Sequence, residues 1–374
     1  MKKIWIPIIV IIIIIVLIVV FYKPSPKGTI KIGAILPLSG KAASYGQWAK
    51  NGFDLAAEEV NSLRGYPYKL ELIYEDDTGD PKTGVSAIQK LISVQNPPVI
   101  IGVILSRIAV ACAPIAEQNR VVLLSTSASS DEIRNAGDYI FRVRESGIIH
   151  GQSMADYVWK KWSNSKKTGV LYLNAENGIT YAEAFKKRFL ELGGQIDLYE
   201  AYNVGETDFR TQLFKVKDKK IKILYVPGEV AEISQILKQA QELSLKIQFL
   251  SSVGAENPKL IEIAGSAAEN LIYTYPAFNP DSSDEIVKQF TTKYSEKFGI
   301  KPEFIAANSY DAIKILAEVF KKYGYKSDQI KDGLYKIQNY DGVSGNLSFD
   351  EYGDVMKPIM FKTVKNGQFV PYTE

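Results

Sequence analysis

The sequence predicts an α/β protein of two doubly wound parallel-sheet lobes, preceded by one N-terminal transmembrane helix. Three observations carry this. From residue 29 to about 275, short runs of Ile, Val and Leu alternate with helical periodicity, the signature of βαβ units. The alternation restarts near Gly147, and 374 residues are too many for one ordinary core and suit two. An uncharged stretch, Ile4 to Tyr22, precedes all of it.

That stretch is the most uneven part of the chain. Its centre, Ile8 to Val20, is Ile, Val and Leu without interruption. As a helix of about 1.5 Å per residue, the uncharged stretch reaches roughly 28 Å, close to the hydrocarbon thickness of a bilayer. Lys2 and Lys3 precede it, and Trp5 and Tyr22 mark its ends. The positive-inside rule then leaves the N-terminus in the cytoplasm and exports everything after Lys23. A cleaved signal peptide shares the charged start and apolar run, but Phe21, Tyr22, Lys23 and Pro24 follow here in place of a small-x-small cleavage site. Residues 1–28 are therefore read as an uncleaved anchor and a short stiff spacer.

In the first exported part, strands are expected over Thr29 to Leu36, Tyr68 to Tyr74, Val99 to Ile101 and Val121 to Leu124. Between them, Ala49, Phe53, Ala56 and Val60 recur at helical spacing. Asp80 before Pro81 reads as an N-cap with proline in the first turn, and a third helix is expected over about Ile108 to Gln118. The second series comprises helix Gly147 to Trp162, strand Thr168 to Leu173, helix Tyr181 to Leu192 and strand Gln195 to Tyr202, then strand Ile221 to Val226, helix Val230 to Leu243 and strand Lys246 to Leu250. Past Ala277 come long helices, about Ser283 to Phe298, Ile305 to Tyr323 and Ser327 to Asn339, and a β-rich tail with a turn at Gly353.

Composition removes several functions. One cysteine, Cys112, and one histidine, His150, cannot make an intrachain disulfide or a Cys/His zinc site. The net charge of +3 is small for this length, and the lysines are scattered, which argues against nucleic acid as a partner. No G-x-S-x-G, H-E-x-x-H, Walker or G-x-G-x-x-G motif occurs, so no cofactor is expected and enzyme readings are poor. The cluster Glu75, Asp76 and Asp77 is read as a solvated turn before it is read as a metal or acid/base site.

The run IKIGAILPLSGKAASYGQWAKNGFDLAAEEVN resembles the opening of the type 1 periplasmic binding proteins that serve branched-chain amino acid transporters. EDDTGDPKTGV, VIIGVILS, VLLSTSASSDEI and EISQILKQAQELSLKIQFLSS resemble later family segments, in the family's order. The likeness runs from Ile30 to Phe349. It implies two lobes joined by three crossings, with a ligand held in the cleft as the lobes close. The lobes would be residues 29–146 with 276–350, and 147–275 with 351–374.

The resemblance also implies a site. Ser106 matches a position that donates a hydroxyl to the ligand's carboxylate, although a serine before a helix is commonly an N-cap. Ser127 and Ser129 lie in a polar loop past a buried strand, where hydroxyl and NH groups can converge on a carboxylate. Tyr45 matches a cleft aromatic. Asn177 stands where many relatives have an aromatic, and Glu229 where tyrosine is common. Val253 falls where amino acid binders often carry an acid for the ammonium group. Glu229 either takes over that task or merely favours a helix dipole. Arg107 either pairs with an anionic ligand or is solvated.

The function expected is an extracytoplasmic substrate-binding component of an ABC-type uptake transporter, taking a small carboxylate-bearing, amino acid-like solute. Its partners would be permease and ATPase subunits, and its place the cell membrane, single-pass. A ligand-sensing receptor ectodomain of the same fold is the alternative, and a secreted serine hydrolase using the STSASS loop is third.

Overall fold

The computed structural model describes residues 28–162 and 167–372. The anchor expected over residues 4–22 lies outside the described residues; among those described, no helix is long and apolar enough to cross a membrane.

The first lobe is built on strands β1 (Gly28–Leu36), β2 (Tyr68–Asp76), β3 (Val99–Gly102), β4 (Val122–Ser125) and β5 (Ile140–Arg142), parallel and ordered β2-β1-β3-β4-β5. Every residue of β3 and β4 is buried, as central strands covered on both faces must be. In β1 the pleat sorts the side chains: Ile32, Ala34 and Leu36 join one core and Ile35 another. Helix α1 (Ala43–Ser62) buries Ala49, Phe53, Ala56 and Val60, the stripe seen in the sequence. Helices α2 (Pro81–Lys90) and α3 (Ser106–Gln118) contribute Ile88, Ile108 and Cys112 to the core that holds Ile35. The Asp80 carboxylate accepts the Lys82 and Thr83 amides at 2.9 and 3.1 Å, the expected N-cap.

The chain next forms the second lobe: α4 (Gly147–Trp162), β6 (Thr168–Leu173), α5 (Glu176–Glu191), β7 (Ile196–Tyr202), α6 (Arg210–Asp218), β8 (Ile223–Val226), α7 (Val230–Glu242), β9 (Gln248–Ser251), α8 (Pro258–Ala264) and β10 (Ile272–Pro276). It returns to the first lobe with α9 (Glu285–Phe298) and α10 (Phe304–Tyr323), which pack on α1, then α11 (Ser327–Leu334) and the hairpin β11 (Tyr340–Gly342) to β12 (Gly345–Leu347). Finally β13 (Ile359–Lys365) and β14 (Gln368–Pro371) add antiparallel strands to the second sheet, ordered β14-β13-β10-β9-β8-β6-β7. The parallel strands of both lobes thus repeat one winding, β2-β1-β3-β4-β5 and β7-β6-β8-β9-β10.

The chain passes between the lobes around residues 143–146, 277–284 and 348–358. The third passage is fastened to the first lobe. Arg142 Nε and Nη2 donate to the two Asp354 carboxylate oxygens at 2.5 and 2.6 Å, with Arg142 fully buried. Lys357 Nζ donates to Asn308 Oδ1 at 2.8 Å and Ser344 Oγ at 2.6 Å, and its burial pushes its pKa down to about 8.

Three expectations need correcting. Helix α11 stops at Leu334, not Asn339, because Asp311 on α10 accepts the Val343 and Ser344 amides at 2.9 and 2.8 Å and holds the hairpin there instead. Helix α5 starts at Glu176, not Tyr181; its N-cap position is Ala175, which has no side-chain cap to announce it. Helix α6 went unseen because only Leu213 and Val216 of it are buried, too little for a stripe.

Candidate functional site

A doubly wound sheet leaves a crevice at the carboxyl ends of its strands, where the winding reverses. Here the two crevices face each other across a cavity of about 680 Å³ including its solvent-open mouth. Tyr45, Ser106, Ser127, Ser129, Asn177 and Glu229, the six residues singled out from the sequence, all line it.

The first-lobe wall begins at a strained turn. Val103, β-branched, has φ of +44° directly after β3, a conformation that costs about 1–3 kcal/mol and turns the chain into α3. Ser106 is the first residue of α3 and does not cap it. Its Oγ instead accepts the Ser129 and Ser130 amides at 3.1 and 3.2 Å, so the hydroxyl proton remains to be donated. Ser129 Oγ accepts from Tyr181 Oη at 3.1 Å, and the Ser127 hydroxyl has no partner among the described residues. Behind them lies Arg144, 4% exposed. Its Nη1 donates to Ser127 O at 2.6 Å and its Nη2 to Tyr181 Oη at 2.9 Å, while Nε has no hydrogen-bond partner. This wall offers hydroxyls and a guanidinium to an anion.

Tyr45 approaches from α1, whose leading loop is pinned by Asp76: one carboxylate oxygen accepts the Leu38 and Thr78 amides, both at 2.8 Å. The acidic cluster is not the solvated turn expected. Asp77 is fully buried, and burial pushes its pKa up to about 6; Glu75 pairs with Lys90 at 2.8 Å. Among the described residues no group of three or more His, Cys, Asp or Glu is placed to hold a metal.

The second-lobe wall is sparser. Asn177 sits in the first turn of α5 beside Gly178, where a Cβ would lie 2.2 Å from the Leu173 carbonyl; glycine lets the turn settle on the end of β6. Likewise a Cβ on Gly254 would lie 2.0 Å from Gly228 O, so these two cavity-lining loops touch backbone to backbone. Glu229, just before α7, makes no helix cap. Its carboxylate accepts from Arg107 Nη1 of the first lobe, whose Nε donates to Gly79 O at 3.0 Å. Arg107 is thus not a solvated side chain, and Glu229 already has a cation.

Two further acids were not foreseen. Glu256 accepts from Tyr273 Oη at 2.6 Å and from Lys362 Nζ; Glu303, at the N-cap position of α10, accepts from Tyr275 Oη at 2.9 Å. Burial pushes both pKa values up, and the Glu256 charge pushes Glu303 further. Both line the cavity.

No serine of this cavity meets a histidine among the described residues. His150 is fully buried and bound to Glu145 Oε1 at 2.8 Å, with burial pushing its pKa down. Serine hydrolysis lacks its base here.

The chain matches the periplasmic binding protein family over residues 29–368. It is 29% identical over 344 residues to a Leu/Ile/Val-binding protein homolog of Brucella suis, covering 90% of this chain and 91% of that one. A leucine binding protein from Thermotoga maritima shares 29% identity with a TM-score of 0.86, covering 92% and 98%. A solute binding protein of an ABC transporter from Rhodopseudomonas palustris, in complex with 3,4-dihydroxy benzoic acid, shares 25% with a TM-score of 0.80, covering 91% and 95%. With a match across nearly its whole length, and with two equally wound lobes facing one cleft, the chain belongs to the periplasmic binding protein family of solute-binding proteins, not enzymes.

Proposed function

We propose that this chain is the extracytoplasmic substrate-binding component of an ABC-type uptake transporter, capturing a small carboxylate-bearing, amino acid-like solute and presenting it to permease and ATPase partners. The observation that carries the reading is the cavity between the strand ends, walled on one side by Ser106, Ser127 and Ser129 over a buried arginine. The hydroxyls and strand-end amides hold the carboxylate, and closure of one lobe on the other excludes water from it. The closing bodies are the lobes read from the sequence, 29–146 with 276–350 and 147–275 with 351–374, with Pro276 belonging to the second sheet and Asp354 bonded to the first lobe. Names of similar proteins support amino acids foremost, and the dihydroxybenzoate complex keeps aromatic acids in view.

The apolar run Ile8 to Val20 supports a single-pass tether that keeps the binding lobes at the outer membrane face. Sequencing the N-terminus of the native protein tests this, and a mature start near Gly28 rejects it. Ligand capture is tested by thermal unfolding of the full chain in detergent against amino acids and simple carboxylates. A ligand at 100 times its dissociation constant adds about 2.7 kcal/mol of stability. A melting curve unmoved by every compound rejects the reading.

A further inference from the structure

We infer that Glu303 receives the ammonium group of the bound solute, so that the ligand is a zwitterion whose carboxylate faces the serines and Arg144; this rests on the small-carboxylate reading above. Three carboxylates line the cavity, and two already have cations: Glu229 is bonded to Arg107 and Glu256 to Lys362. Among the described residues Glu303 is hydrogen-bonded by the Tyr275 phenol alone, and Lys362, whose charge also acts on it, is bonded to Glu256. A carboxylate in a closing cleft without a bonded cation of its own is costly, and a ligand ammonium removes that cost while gaining a charge-assisted hydrogen bond. Val253, on the opposite wall, brings no charge to the same cavity.

The independent observation is Arg144. It lines the same cavity, is more than nine-tenths buried, and leaves Nε unbonded, 3.7 Å from the nearest Glu145 oxygen. Its guanidinium carbon lies 5.2 Å from the centre of the Phe304 ring, and Phe304 directly follows Glu303. Arg144 and Glu303 thus line one cavity, a cation and an anion for the two charged ends of an amino acid's backbone. Hydrophobic and aromatic residues, Trp48, Leu105 and Val253 among them, are left for the rest of the solute.

The test compares each amino acid with its deaminated counterpart, such as L-leucine with isocaproate, by isothermal titration of the full chain in detergent, for wild type and Glu303→Gln. The expected result is a wild-type preference for the amine-bearing member of at least about tenfold, lost in Glu303→Gln, while the variant binds the deaminated acid at least as tightly as wild type does. Retained bonding of isocaproate shows that the variant is folded. An unchanged preference overturns the inference, as does equal loss of both members. Wild-type binding confined to acids without an amine overturns it too, leaving carboxylate capture standing. Absence of binding by either class removes the function and the inference together.

Discussion

The two walls of the cleft share a strand order and differ in how finished they are. On the first-lobe wall, polar groups are bonded to one another before any ligand arrives: Ser106 takes two amides, and Arg144 reaches Ser127 and Tyr181. On the second-lobe wall, Asn177 has no bonded side chain among the described residues, and Glu229 is bonded only across the gap. On the proposed function, the first wall is pre-organised for the ligand's polar end and the second supplies the closing surface. Tyr181 with Ser129, Thr180 with the Asp131 amide, and Glu229 with Arg107 are the points where the walls already meet.

The largest loss is expected at the buried fastening beneath the first wall. Asp354→Ala leaves Arg142 charged and unpaired, and urea unfolding should show a loss of about 3–5 kcal/mol. A loss below about 1 kcal/mol would mean that the third passage is not held by this pair. Next comes Lys357, whose folded pKa of about 8 lies below its unfolded value. Between the two values the unfolded chain binds more protons, so stability should rise as pH goes from about 8 to about 10. Lys357→Met should flatten that rise, by up to roughly 3 kcal/mol across the window.

Removing a hydroxyl from the finished wall acts on binding. Ser129→Ala should weaken both amine-bearing and amine-free acids by about tenfold, as a lost hydrogen bond to a charged group does. Weakening of only one class would assign Ser129 to the wrong end of the solute. The smallest effect belongs to the closing wall. Glu229→Gln should move unfolding stability by less than about 0.5 kcal/mol and affinity by a few fold, because its pair with Arg107 is partly exposed. Ligand affinity measured between about 0.05 and 0.5 M salt should vary less in the variant than in wild type.

How much of this was legible follows the range of the signals. The strands of the first lobe and the stripe Ala49, Phe53, Ala56 and Val60 are local patterns, and Asp80 before Pro81 announces its own helix. The six cavity residues stand in strand-end loops or in the first turns of the helices that follow, in stretches whose wording resembles a known family, so their placement could be read although the bonds they make could not. Arg107 and Glu229 are 122 residues apart, and nothing near either one signals the other. Arg144, Glu256 and Glu303 look in sequence like any surface charge. Their burial arises only when a passage between lobes, a loop after β9 and the start of α10 converge. Asp77 misled for the same reason, since a turn rich in acids reads as solvated whether or not a helix covers it.

The three passages between the lobes carry a consequence for the order in which the protein can be assembled. Helices α9 and α10 complete the packing around α1, and β13 and β14 complete the second sheet, so residues after 284 finish both lobes. During synthesis of the first three quarters of the chain the first lobe lacks the packing of α9 and α10 on α1 and the second sheet lacks its two antiparallel edge strands, so a nascent chain exposes these surfaces to chaperones and proteases until they are covered. That delay suits a protein whose folded body must form on the far side of a membrane.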